Sequence, residues 1–93
     1  MTNGNQLEQA PGVLFSELSD GRGVLLSVDG GVYYTLNHTG CDVWHALKSP
    51  ATPEEIASLI ADRYTLAKDQ AVEDVSALLE DLLSRGLVLE QPT

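Results

Sequence analysis

The sequence is short of everything that would stabilise or anchor an unusual fold. A single cysteine in 93 residues excludes an internal disulfide, and nothing points to an oxidising compartment. Five basic residues stand against fourteen acidic ones, a net charge of −9. That balance argues against nucleic acid or an anionic membrane as partner, because both require a positive footprint. No apolar run approaches the roughly 20 residues a membrane span needs. The opening Met1–Gln6 has neither a basic nor an apolar region, so no secretory signal is expected and the location is read as cytoplasmic.

What remains is an ordinary soluble composition, 43% hydrophobic, long enough for one domain. A domain of this size buries about 60–65% of the surface its unfolded chain exposes. An enclosed active site would compete with that modest core for the same apolar side chains.

Residues 1–11 are polar up to Pro11 and read as a flexible tail, leaving a domain over residues 12–90. Val13–Leu18 and Val24–Val28 read as strands, separated by the turn cluster Ser19-Asp20-Gly21-Arg22-Gly23. Asp29-Gly30-Gly31 tolerates the positive φ of a tight hairpin, and Val32–Leu36 follows as a third strand. The period then changes to that of a helix. Asn37 or Thr39 can cap it, with Val43, Trp44 and Leu47 on its inner face. Thr52-Pro53-Glu54-Glu55 is a capping box with proline at the first helical position, opening a second helix to about Tyr64. After a break at Thr65-Leu66, the spacing of Val72, Val75, Leu78, Leu79, Leu82 and Leu83 predicts a third helix from about Lys68 to Arg85. Gly86 stops it, with Leu87 placed to fold back on Leu82, and Leu87-Val88-Leu89 is left as an apolar stub. Strands segregated from helices predict an α+β fold: a three-stranded antiparallel sheet followed by three helices, of winged helix-turn-helix type.

Chemistry is sparse along this chain. His38, Cys41 and His45 are too few for a structural zinc site, and Cys41 with His45 lacks an orienting third group and an oxyanion hole. Glu54-Glu55, Glu73-Asp74 and Glu80-Asp81 are neighbours about 100° apart on helices, which makes them solvated faces rather than facing dyads. The glycine pairs lie between strands and are not phosphate loops. No catalytic residue, metal site or cofactor is expected, and the chain is read as a non-enzyme. A DNA-binding winged helix is the alternative of another class, but its recognition helix would carry Asp69, Glu73, Asp74, Glu80 and Asp81 against Lys68 and Arg85.

The third strand stands out. Natural sheet edges are protected by charge, proline or cover. The first strand has Pro11 before it and Glu17 within it, whereas Val32, Tyr33, Tyr34, Thr35 and Leu36 are all strong strand formers without a charge. Alternation puts Val32, Tyr34 and Leu36 on the helix side, with Tyr33 and Thr35 opposite. Such an edge can accept a peptide as an added strand. It can equally be covered by the third helix or by a second copy.

The order and spacing of Tyr34-x-Leu36-Asn37-x-Thr39-Gly40-x-x-Val43-Trp44-x-x-Leu47, Thr52-Pro53-Glu54-Glu55-Ile56 and Asp74-Val75-x-x-Leu78-Leu79-x-x-Leu82-x-x-Arg85-Gly86-Leu87-Val88 resemble the PqqD-like family. These are the recognition elements of ribosomally made, modified peptides. The resemblance spans about residues 13–89, and the stand-alone form is similar to the leader-binding proteins of lasso-peptide pathways. It implies that a precursor's leader binds as a strand against Val32–Leu36, with its side chains in a groove beside the third helix. The groove candidates it implies on that helix are Lys68, Asp69, Val72, Val75, Ser76 and Leu79, with Lys68, Asp69 and Glu73 as rim charges. Val75 and Leu79 can also belong wholly to the core. The implied lasso leader carries a Tyr-x-x-Pro element and is presented to a cysteine protease of transglutaminase-like fold. In the pyrroloquinoline quinone pathway the implied partner is instead a radical SAM enzyme.

Overall fold

The computed structural model describes residues 5–91. Its elements in chain order are β1 (Leu7–Gln9), β2 (Val13–Glu17), β3 (Gly23–Ser27), β4 (Val32–Leu36), α1 (His38–Ala46), α2 (Pro53–Tyr64), α3 (Lys68–Ser84) and β5 (Val88–Glu90). β2, β3 and β4 form the expected antiparallel meander. Phe15 pairs with Leu25 and Leu25 with Tyr34, while Gly23 lies opposite both Glu17 and Leu36. A side chain could not be added at Gly23: a Cβ there would sit 2.5 Å from the Phe15 ring and 2.8 Å from Cys41 Sγ.

Local chemistry sets the helix ends. Asn37 is the cap of α1, its Oδ1 accepting the Gly40 N–H at 2.8 Å, which settles the choice between Asn37 and Thr39. At α2, Glu55 N–H donates to Thr52 Oγ1 and Thr52 N–H donates to Glu55 Oε1, a reciprocal box worth about 1 kcal/mol. Arg85 caps α3, with Leu87 N–H reaching Leu82 O at 3.0 Å and Gly86 N–H reaching Leu83 O at 3.1 Å. Gly86 takes the positive φ, +76°, that this Schellman ending requires. Between α2 and α3, Thr65 is left-handed at φ +54°. That is a strained state for a β-branched residue, costing about 1–3 kcal/mol.

One buried cluster unites the layers. Leu25 and Leu36 from the sheet meet Val43, Trp44 and Leu47 of the α1 segment and Ile56 and Ile60 of α2. Ala71, Val75, Leu79 and Leu82 close it from α3. Each large side chain fully buried here contributes about 1.5–3 kcal/mol.

The N-terminal segment differs from the expected tail over residues 1–11. Leu7–Gln9 is a strand paired antiparallel with Val88–Glu90, a partner that overlaps the expected apolar stub Leu87-Val88-Leu89. Leu7 is fully buried, and it exchanges backbone bonds with Ala51 at 2.8 and 3.0 Å. Gln9 N–H adds a bond to Leu47 O and Ala10 N–H one to Leu87 O. A lone leucine among polar residues carries no periodicity, so backbone bonding hid this strand from pattern reading. The first four residues of the expected tail lie outside the described residues.

A candidate peptide-docking edge

Among the described residues, the edge of β4 away from β3 has no partner strand. Its side chains alternate as the sequence predicts: Val32 and Tyr34 half-buried, Leu36 buried, Tyr33 and Thr35 exposed. Tyr33 is 66% exposed. It ends a row with Leu26 and Leu14, which lie opposite one another across the outer sheet face and are 38% and 57% exposed.

On the inner side, α3 runs past the strand and a cleft opens between them. A hollow of about 310 Å³ is lined by Tyr34, Thr35, Leu36 and Asn37 from the strand side, by Gly40, and by Leu78 from α3. Arg22 stands at its margin, held by Asp20 at 2.7 Å. A second hollow of about 230 Å³ continues it, sharing Asn37, Gly40 and Leu78. Its further walls are Val43, Ile60, Leu66 and Val75, with Thr39 and Asp74 at the rim.

The Tyr34 hydroxyl reaches from β4 to α3 and donates to Asp81 Oδ2 at 2.7 Å. Arg85 Nε donates to the other Asp81 oxygen at 3.0 Å, and its guanidinium lies 5.0 Å from the centre of the Tyr34 ring, within cation–π range. Burial, followed by the bond to Asp81, pushes the Tyr34 phenol above its ordinary value. The Tyr34 hydroxyl, then Arg85, holds the Asp81 carboxyl below its own.

The helix residues expected from the sequence fall elsewhere, with one exception. Val75 walls the second hollow. Leu79 is buried in the core, Val72 packs partly buried against it, and Ser76 is half-buried. Lys68, Asp69 and Glu73 are exposed. None of these six lines either hollow. At 100° per residue they point away from the stripe of positions 74, 78 and 81, which faces β4. That stripe is not among the helix residues expected from the sequence. In the sequence Asp74 and Asp81 belong to neighbouring carboxylate pairs, and Leu78 to the apolar repeat that predicts the helix.

The chemically tempting trio disperses. His38 Nε2 lies 3.0 Å from Asp20 O, and the His45 ring packs edge-on against Phe15 at 5.0 Å. Cys41 is buried with Sγ 3.7 Å from Gly21 O. Burial, then Glu17 and Asp42, pushes its thiol up, away from the nucleophilic thiolate. Glu55 is spent on its capping box. Among the described residues no three potential ligands gather to hold a metal ion, and no helix is long and apolar enough to cross a membrane.

The fold and its open edge define a small winged-helix-like α+β domain with a strand free for pairing. Residues 22–88 match the family model of coenzyme PQQ synthesis protein D (PqqD), and the chain belongs to that family. No curated protein sequence matches it. Its fold is similar to TbiB1 in complex with the TbiA(beta) leader peptide, with 24% identity and a TM-score of 0.79 over 92% of this chain and 99% of that one. It is also similar to a lasso peptide synthetase B1 complexed with the leader peptide: 25% identity, TM-score 0.76, covering 89% of this chain and 96% of that one. The tRNA-dependent lantibiotic dehydratase MibB from Microbispora sp. 107891 contains the fold as well. There the match covers 92% of this chain but 8% of that one, at 18% identity and a TM-score of 0.59.

Proposed function

We propose that this chain is a non-catalytic binder of the leader region of a ribosomally synthesised precursor peptide, of the lasso class. The leader adds as a strand to β4 and is presented to a maturation protease. The observation that carries this reading is the free, uncharged edge of Val32–Leu36 opening directly onto a cleft walled by Leu78. Main-chain bonds along the edge would supply sequence-tolerant affinity, and the hollows beside it would read alternate side chains. Two solved relatives of this fold, each matched along nearly its whole length, hold leader peptides.

The binding unit is the domain of residues 12–90 together with the β1 strand that closes it. Its groove is the β4 edge with Leu78, Asp81 and Arg85 of the α3 segment, Val75 being the residue of the expected helix set that borders it. The family match supports a second reading, in which the same edge serves a radical SAM enzyme in pyrroloquinoline quinone synthesis. The acidic surface of α3 gives no support to DNA binding.

Titration of the protein with a fluorescein-labelled synthetic leader, followed by polarisation, tests the reading. Saturable binding to a lasso leader supports it, saturation only by the quinone-pathway precursor favours the second reading, and no saturation by either sinks both. Leu78→Ser should weaken binding by about 2 kcal/mol, and Lys68→Ala should leave it unchanged. The reverse pattern would return the groove to the other flank of α3.

A further inference from the structure

The smaller hollow lies beyond the strand edge, under the turn between α2 and α3. Its apolar lining comes from helices at Val43, Ile60, Val75 and Leu78, and from the turn only at Leu66. Val43, Ile60 and Val75 are buried core residues, fixed by packing, whereas Leu66 is 38% exposed.

Leu66 owes its position to Thr65, the only non-glycine residue with positive φ among the described residues. L-residues with branched β-carbons avoid that conformation, so it persists only where neighbouring structure imposes it. The imposition comes from α2: the Thr65 and Leu66 N–H groups both donate to Ala61 O. On the other side, α3 starts at Ala67 with no side-chain cap. The turn is therefore set by backbone bonds to the end of α2, and no side chain caps the start of α3.

We propose that Leu66 is a specificity-determining residue, the adjustable wall of a pocket for one bulky apolar side chain of the leader, and that Thr65 is its positioning residue. This inference rests on the leader-binding reading above. The occupant is the leader side chain just past the segment paired with β4, because the hollow joins the strand-edge cleft at Asn37, Gly40 and Leu78, beyond Leu36. The walls at Val43, Ile60, Leu66, Val75 and Leu78 suit an apolar side chain, and the Asp74 carboxylate at the rim disfavours an acidic one. A hollow of about 230 Å³ holds one large aliphatic or aromatic side chain and is underfilled by alanine.

The test uses the full chain and a fluorescein-labelled synthetic lasso leader that saturates it in the titration above, with single-alanine variants of that leader. Leu66→Ala should bind the parent leader about tenfold more weakly. It should bind one alanine variant, the one lacking the anchor side chain, as well as the unmodified protein does. Thr65→Gly, which frees the turn, should narrow the preference for the parent leader over that variant. Thr65→Asn, which suits the left-handed region, should retain it. Thermal unfolding by circular dichroism confirms that each variant is folded. Equal losses for Leu66→Ala across all leaders, or no loss, overturn the inference while the leader reading stands. Failure of the unmodified protein to bind any leader overturns both.

Discussion

β1 and β4 are both short strands at the surface, and they differ in what their backbones have left to offer. β1 is occupied on both sides, by β5 along one edge and by Ala51 and Leu47 along the other. Among the described residues, β4 is bonded along one edge only. The difference teaches that a polar-looking segment can be closed structure while an apolar one stays open for business with a partner. Unused backbone valence, rather than hydrophobicity, marks the candidate site.

The comparison breaks first at Leu7. Leu7→Ala should lower stability in urea denaturation by about 2–5 kcal/mol, because the side chain is fully buried and its strand ties β5 into the core. Leader affinity of the folded protein should not change. A loss of affinity at unchanged stability would mean that β1 belongs to the binding surface.

Proline at consecutive positions of β4 sharpens it next. Neighbouring residues of a strand aim their N–H groups to opposite sides, so either Tyr33 or Tyr34 directs its N–H at the free edge. Of Tyr33→Pro and Tyr34→Pro, one should lose leader binding by about 2 kcal/mol with little fall in melting temperature. The other should lose stability first. Two variants alike in both measurements would contradict the one-sided edge.

The smallest effect is a titration. The folded-state pKa of Asp81 is depressed, by Tyr34 and then Arg85. Its bonds therefore stabilise the fold above the ordinary carboxylate value, and that contribution is lost as pH falls through the lowered one. Asp81→Asn should flatten the acid limb of a melting-temperature profile below about pH 4. Asp20, depressed chiefly by its bonds with Arg22, should keep part of that limb in both proteins. An unchanged profile would show that the Tyr34–Asp81–Arg85 link does not persist in solution.

Much of this architecture was legible in residue order. Thr52-Pro53-Glu54-Glu55 announced α2 because capping chemistry is local. Val32–Leu36 announced its own alternation because burial on one face imposes period two. β1 was not legible, since one leucine and a set of backbone bonds leave no pattern. The helix side of the two hollows was hidden for another reason. Periodicity identifies the buried stripe of α3, yet a cleft is bounded by the residues next to that stripe, where Asp74, Leu78 and Asp81 mix polar with apolar. Which flank of a helix borders an open strand is decided by how the two pack, and spacing along the chain carries no record of that.

The pairing of β1 with β5 has one more consequence. Gln91 N–H donates to Gln6 O at 2.7 Å and Asn5 Nδ2 to Glu90 Oε2 at 2.9 Å, so the first and last described residues lie side by side. None of the residues that bond this ribbon lines either hollow. Such a module can be spliced into a host protein like a cassette, its reading edge undisturbed, and the same fold indeed sits inside the much longer lantibiotic dehydratase chain.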